Sequence, residues 1–297
     1  MQYSALLKTK IFFERLALQA FQKISWLQPA IDRNIIKLYL FKFMSISPIL
    51  KAENISKSFG GIHAVSNARI EVPTGSITGL IGPNGAGKTT FFGLLSNFLK
   101  PDCGTVQFNG MPIQGKPPHA IAKLGMIRTF QVPRVLSRLT VVENMLLAAQ
   151  NQVGEKFWNT WFQGKKIDVQ EKENREKARH ILESVGLSRM ADDYAGSLSG
   201  GQRKLLEIAR ALMTDPKLIL LDEPAAGVNP ALIEEICHYI HKWNQEGLSF
   251  LIIEHNMDVI MSLCDRIWVL SEGHNLADGS PSEIQKDPRV LEAYLGS

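Results

Sequence analysis

The run Gly82-Pro-Asn-Gly-Ala-Gly-Lys-Thr89 packs three glycines, a lysine and a hydroxyl into eight residues, a set suited to phosphate oxygens. Gly82, Gly85 and Gly87 let the backbone take conformations that a side chain blocks, so successive N–H groups turn toward one anion. Pro83, Asn84 and Ala86 complete the loop, and Thr90 lies just beyond it. Lys88 brings a point charge to the outer phosphates and Thr89 offers a hydroxyl to Mg²⁺. A second cluster, Asp222-Glu223-Pro224, follows four apolar residues, so both acids fall at the end of a buried strand. Asp222 is placed to hold the metal, directly or through water. Glu223 is placed to orient and deprotonate an attacking water, a role worth about 10²- to 10⁴-fold in rate. Gln131 and His255 also end predicted strands; the amide can meet both a metal-bound water and a neighbouring subunit, and the imidazole can donate to a terminal phosphate.

Between these clusters lies Leu198-Ser-Gly-Gly-Gln202. The phosphate loop and the strand-end acids need no such pentapeptide for their own work. Ser199, Gly200, Gly201 and Gln202 must therefore serve something else, read here as a second chain.

These residues require strands that end where the loops begin. Residues 49–55 and 62–72 read as strands, with Pro73-Thr-Gly75 as the turn into a short buried strand, Ser76 to Ile81, that feeds the glycine run. A helix is predicted from Lys88 to Leu99, stopped by Pro101, and strand–loop–helix is the context a phosphate site needs. Further strands are predicted at 104–108, 126–130, 218–221, 250–253 and 266–270. Helices are predicted at 141–150, 168–186, 202–212, 232–243 and 282–295. Alternation of this kind implies a largely parallel sheet. The stretch from about 140 to 195 reads as a helical insertion, with Trp158 and Trp161 in a loop inside it, contacting a membrane subunit or lipid headgroups or packing within the insertion.

The 297 residues carry a net charge of +4, unevenly placed: residues 1–43 hold seven Lys and Arg against Glu14 and Asp32, leaving −1 for the rest. A nearly neutral body argues against a nucleic-acid footprint. No segment reaches the ~20 apolar residues of a membrane helix, so other subunits must do any spanning. Cys103, Cys237 and Cys264 have no metal-ligand spacing and read as reduced, mostly buried thiols, which fits a cytosolic protein. Residues 1–43 admit two readings. They are a basic extension, disordered or forming an amphipathic helix on Leu6, Leu7, Ile11, Phe12 and Leu16, or translation starts at Met44 and the domain spans 44–297.

With these residues laid out, the sequence from about Ile49 to Leu295 resembles the nucleotide-binding subunit of ATP-binding cassette (ABC) transporters. The resemblance implies an α/β P-loop NTPase fold with an antiparallel β subdomain and a helical subdomain. It implies ATP and Mg²⁺ as ligands, with metal contacts from Thr89, Gln131 and Asp222. It also implies a sandwich of two cassettes in which each phosphate loop faces the other subunit's pentapeptide, and Phe59 at the position of the adenine-stacking aromatic. Arg128-Thr-Phe-Gln131, Asp222-Glu-Pro-Ala-Ala-Gly-Val-Asn229-Pro230 and Asp287-Pro-Arg-Val-Leu-Glu-Ala-Tyr-Leu-Gly296 are similar to the branched-chain amino-acid importer branch. Relatives handling urea or serving lipopolysaccharide export share parts of these runs. Asn229 stands where many cassettes have aspartate, and is read as a trait of the branch. The expected partners are a second cassette, two membrane permeases and, indirectly, an external solute-binding protein, at the cytoplasmic face of the inner membrane. A soluble cassette acting on nucleic acid usually carries two cassettes or a long coiled coil, and neither is visible in this sequence. A non-hydrolysing regulatory cassette fits poorly with Glu223 and His255 both present.

Overall fold

A computed structural model describes residues 48–129, 135–150, 152 and 164–295. The described residues lie in the unit Ser47–Ser297. Both readings of residues 1–43 concern residues outside the described set, as do Gln131, Trp158 and Trp161.

Two sheets carry the architecture. The first is antiparallel, in the order β2-β1-β4-β5, formed by β1 (Pro48–Phe59), β2 (Ile62–Pro73), β4 (Cys103–Phe108) and the short β5 (Met111–Pro112). The second has the order β10-β9-β3-β8-β7-β6, with β3 (Ile77–Ile81), β6 (Met126–Arg128), β7 (Leu218–Asp222), β8 (Ser249–Ile253) and β9 (Arg266–Ser271) parallel. Its edge strand β10 (His274–Gly279) runs antiparallel to β9. Every residue of β3, β7 and β8 is buried, which explains why they read as unbroken apolar runs: both faces of this sheet are covered. One core cluster joins the helices to Ile77, Ile219, Leu221, Phe250 and Ile252, and the other joins Leu80, Leu220, Leu251 and Ile253 to the antiparallel sheet. Residues alternating along a strand thus glue the central sheet to a layer on each side.

The helices are α1 (Lys88–Leu95), α2 (Pro118–Leu124), α3 (Val141–Leu146), α4 (Gly164–Ser184), α5 (Gly200–Leu212), α6 (Pro230–Gln245), α7 (Met257–Leu263), α8 (Pro281–Ile284) and α9 (Pro288–Leu295). Helix α1 stops four residues earlier than Pro101 suggests. Ser96 Oγ donates to the Phe92 carbonyl at 2.7 Å, and the Leu99 N–H folds back to the Gly93 carbonyl at 3.0 Å. The single closing helix expected over 282–295 is two helices, because Pro288 cannot donate into a ladder begun at Pro281. Strand β10 has no alternation that announces it. It is created by the hairpin Glu272-Gly273, whose residues sit at φ 50° and 80°, the sense that matches strand twist. Of the cysteines, Cys264 is buried, Cys237 is half-buried and Cys103 is exposed on β4, so the expectation of mostly buried thiols holds for one of three.

Asn275 ties the two sheets together. Its Oδ1 accepts from the Arg69 N–H at 2.6 Å and its Nδ2 donates to the Arg69 carbonyl at 2.9 Å, so one amide side chain fastens β10 to β2.

Candidate functional site

Strand β3 runs straight into the glycine loop, and α1 begins at Lys88 with Gly87 as its N-cap at φ 92°. A side chain at Gly87 would place its Cβ 2.3 Å from the Ala64 carbonyl oxygen, and one at Gly82 would stand 2.1 Å from that of Leu270. Neither backbone atom can step aside, so these glycines are fixed by close packing as well as by conformation. Gly85, at φ 79°, meets nothing within 4 Å and faces open space. The Lys88 ammonium is buried and donates to the carbonyls of Gly82 at 2.7 Å and Pro83 at 2.8 Å. Burial pushes it below the ordinary lysine range, and the Glu223 charge acts in the opposite sense.

Asn84 to Thr90 line a cleft of about 460 Å³, together with Ile62, His63 and Ala64 from the first hairpin, His255, and Glu272 with Gly273. His63, Glu272 and Gly273 carry no signal in the sequence. Their arrival depends on the Ser66 N–H reaching the Gly273 carbonyl at 2.8 Å and the Gly273 N–H reaching that of Ala86 at 3.1 Å. Phe59 ends β1, is 46% exposed, and has the Lys57 ammonium 5.5 Å from its ring centre. The ring is outside the cleft lining, whereas its hairpin neighbour Ile62 is within it.

At the ends of β7 and β8, Glu223 and His255 share a hydrogen bond of 2.7 Å between Oε1 and Nε2. Glu223 has φ 50°, a conformation a long side chain adopts only under constraint. Its N–H donates to the Ile253 carbonyl at 2.9 Å. The buried Glu254 carboxylate accepts from the N–H of Ala225 at 2.6 Å and of His255 at 2.9 Å, locking together the segments that follow the two strands. Asp222 is also buried, and its Oδ2 accepts from Arg128 Nη2 at 3.0 Å. The Arg128 guanidinium lies over Phe92 at 4.9 Å and Phe98 at 5.4 Å and donates to Ser96 Oγ at 3.1 Å. In the sequence Arg128 belongs only to a shared run; the fold makes it the partner of a strand-end carboxylate.

The pentapeptide lies outside the cleft lining. Ser199 caps α5 as one half of a capping box: its Oγ accepts from the Gln202 N–H at 3.2 Å, and Gln202 Oε1 accepts from the Ser199 N–H at 2.9 Å. The Gln202 side chain is thus occupied in building the turn. Arg203 donates to the carbonyls of Leu198 at 3.0 Å and Gly196 at 3.1 Å, bracing the same turn from outside. The two glycines differ: a Cβ on Gly201 would meet Leu232 Cδ2 at 1.6 Å, while one on Gly200 meets nothing within 4 Å. Ser199 and Gly200 are exposed at a helix N-terminus, where backbone donors and the helix dipole favour an anion. Asn229 caps α6, its Oδ1 accepting from the Leu232 N–H at 2.9 Å, a task asparagine and aspartate share.

Thr89 and Asp222 offer oxygen donors of the kind a hard divalent cation takes, so these residues fit Mg²⁺. Among the described residues no group of three or more His, Cys, Asp or Glu could hold a metal unaided. No helix among them is long and apolar enough to cross a membrane.

Residues 65–226 match the family model described as ABC transporter, and residues 274–297 match one described as branched-chain amino acid ATP-binding cassette transporter. The chain is 45% identical to the probable branched-chain amino acid transport ATP-binding protein LivG of Archaeoglobus fulgidus, over 84% of this chain and 96% of that one. It is 42% identical to the high-affinity branched-chain amino acid transport ATP-binding protein BraF of Pseudomonas aeruginosa, over 84% and 98%. Among solved structures, a nucleotide-free ATP-binding cassette from an ABC transporter superposes with a TM-score of 0.73 at 42% identity, covering 84% of this chain and all of that one.

Proposed function

Since the chain belongs to the ABC transporter ATP-binding family, we propose that it is the ATP-hydrolysing subunit of an importer for branched-chain or other hydrophobic amino acids. It works with a second cassette and two membrane permeases at the cytoplasmic face of the inner membrane, and an external solute-binding protein acts on it only indirectly. The C-terminal match over residues 274–297 and the relatives' transport role support the choice of solute class. One observation carries the pairing of cassettes. The glycine loop and His255 share one cleft, while Ser199 and Gly200 stand exposed outside its lining.

In the proposed cycle the loop N–H groups and the N-terminus of α1 hold the phosphates, and Lys88 turns from the loop carbonyls to the outer phosphate. Thr89 and Asp222 would hold Mg²⁺, which supplies charge neutralisation at the outer phosphates. Asp222 is kept in one orientation by Arg128. Glu223 takes a proton from the water whose oxygen attacks the terminal phosphorus, and the bond to the bridging oxygen of ADP breaks. His255 steadies the Glu223 carboxylate through the 2.7 Å hydrogen bond. Closure of the pair follows from holding each nucleotide between two subunits, and the work on the permeases is the difference in nucleotide affinity between open and closed forms.

The direct test is uptake of labelled leucine by cells carrying the wild-type gene or Lys88→Ala in place of it. Loss of leucine uptake, with an unrelated solute unaffected, is the expected result; unchanged uptake would dismiss the proposed role.

A further inference from the structure

Lys204 lies five residues after Ser199 on α5 and is 6% exposed. Its Nζ donates to the Glu223 carbonyl oxygen at 2.9 Å. An ammonium is costly to bury unless it is paired. Here burial pushes Lys204 below the ordinary lysine range, and the charges of Glu207, Glu254, Glu223 and Asp222 act in the opposite sense. That carbonyl belongs to a residue at φ 50°, a conformation that persists only where the surroundings impose it. The strand ends supply part of the constraint: the Glu223 N–H meets the Ile253 carbonyl at 2.9 Å, and the Glu223 carbonyl accepts from the Ala226 N–H at 3.1 Å. Lys204 adds a bond from a different element, the helix whose first turn is the pentapeptide.

Along a helix, five residues rise about 7.5 Å. The Ser199 cap and Lys204 therefore belong to one stiff rod, with the exposed serine at its N-terminus and Lys204, bonded to the Glu223 carbonyl, about a turn and a half further along. Glu254 extends the link, since it fastens the Ala225 and His255 N–H groups to one carboxylate, so that Glu223 and His255 move together. We propose that Lys204 is a positioning residue that joins the pentapeptide to the backbone of Glu223. A nucleotide seated on Ser199 from the partner cassette then sets the base of this chain's own site. The proposal rests on Glu223 as the base and on Ser199 facing a partner's nucleotide.

The test uses the full chain with its partner cassette and compares Lys204→Met and Lys204→Arg with wild type. Lys204→Met is expected to lower kcat about 10- to 100-fold with KM for ATP little changed. Lys204→Arg, which keeps a buried donor, is expected to retain turnover within about threefold of wild type. The loss from Lys204→Met should not multiply with that from Glu223→Gln, nor with that from Ser199→Ala, because all three interrupt one link. A kcat within twofold of wild type for a folded Lys204→Met chain would overturn the proposal, as would losses that multiply in either double variant. If Lys204→Met does not fold, the arginine variant decides: folded and active supports the link, folded and inactive overturns it. Near-normal hydrolysis by Glu223→Gln is a separate outcome that removes Glu223 as base whatever Lys204 does.

Discussion

The two glycines of the pentapeptide are predicted to fail in opposite ways when each becomes alanine. At Gly201 the new Cβ would stand 1.6 Å from Leu232 Cδ2 and 3.1 Å from its Cγ, where carbon atoms prefer about 3.5–4.0 Å. The leucine backbone is pinned by the bond from its N–H to Asn229 Oδ1, so the side chain itself must move by about 2 Å. Overpacking of this kind costs about 1–3 kcal/mol. The methyl end of leucine can rotate away, which favours the lower half of that range, and replacing glycine by alanine in a helix returns up to about 1 kcal/mol. A net loss near 1 kcal/mol lowers the melting temperature of a domain this size by about 2–4 °C. At Gly200 no atom lies within 4 Å, so alanine leaves the free chain's stability unchanged or raises it slightly. In the proposed pairing its methyl group fills the space through which a partner's phosphate approaches. Thermal denaturation of the nucleotide-free chain, followed by size-exclusion chromatography of Glu223→Gln forms with ATP and the partner cassette, separates the two effects. Gly201→Ala should melt earlier and recover part of the loss when Leu232→Ala is added, with a coupling of at least about 0.5 kcal/mol. Gly200→Ala should melt as wild type and fail to pair. Equal melting losses at both positions, or normal pairing by Gly200→Ala, would show that the two glycines do not have these separate tasks.

Glu223→Gln should keep ATP binding while turnover falls about 10²- to 10⁴-fold, measured by phosphate release beside nucleotide binding; retained turnover rejects the base. Gly87→Ala, whose Cβ would meet the Ala64 carbonyl at 2.3 Å, should abolish ATP binding by the single chain, whereas Gly85→Ala, in open space, should weaken it less; isothermal titration compares them. Arg128→Met strands a buried Asp222 carboxylate and should cost about 3–5 kcal/mol of stability in denaturant titration. Glu143 and Glu283 are held below the ordinary glutamate range, chiefly by the N–H groups of Thr140 and Ser280 that they accept from. Depressed folded-state values mean that this stabilisation is complete above the unfolded value, near 4.3, and is lost as pH falls through the lower folded one. Glu143→Gln and Glu283→Gln should therefore flatten that part of the acid melting curve.

The motifs and the central strands were legible because each is local in sequence. Strands β3, β7 and β8 are buried on both faces and so are written as apolar runs, and the glycine loop follows its strand without a break. What stayed hidden depends on contacts between distant residues. His63 reaches the cleft only because β2 is bonded to Gly273. Arg128 and Lys204 matter through Asp222 and the Glu223 carbonyl, each well removed in sequence. The difference between Gly200 and Gly201 is set by Leu232, on another helix. Strand β10 follows from a two-residue hairpin, and α2 and α7 are single short helices without a long apolar period. Gln202 shows the converse: its type and place suggest a nucleotide ligand, while its side chain completes the Ser199 capping box.

If this chain holds two half-sites and no complete one, the initial rate of ATP hydrolysis per chain must depend on total cassette concentration at saturating ATP. The rate per chain should climb with concentration and level off once the cassettes are paired. A rate per chain that stays constant down to concentrations at which sedimentation shows only monomer would contradict that arrangement.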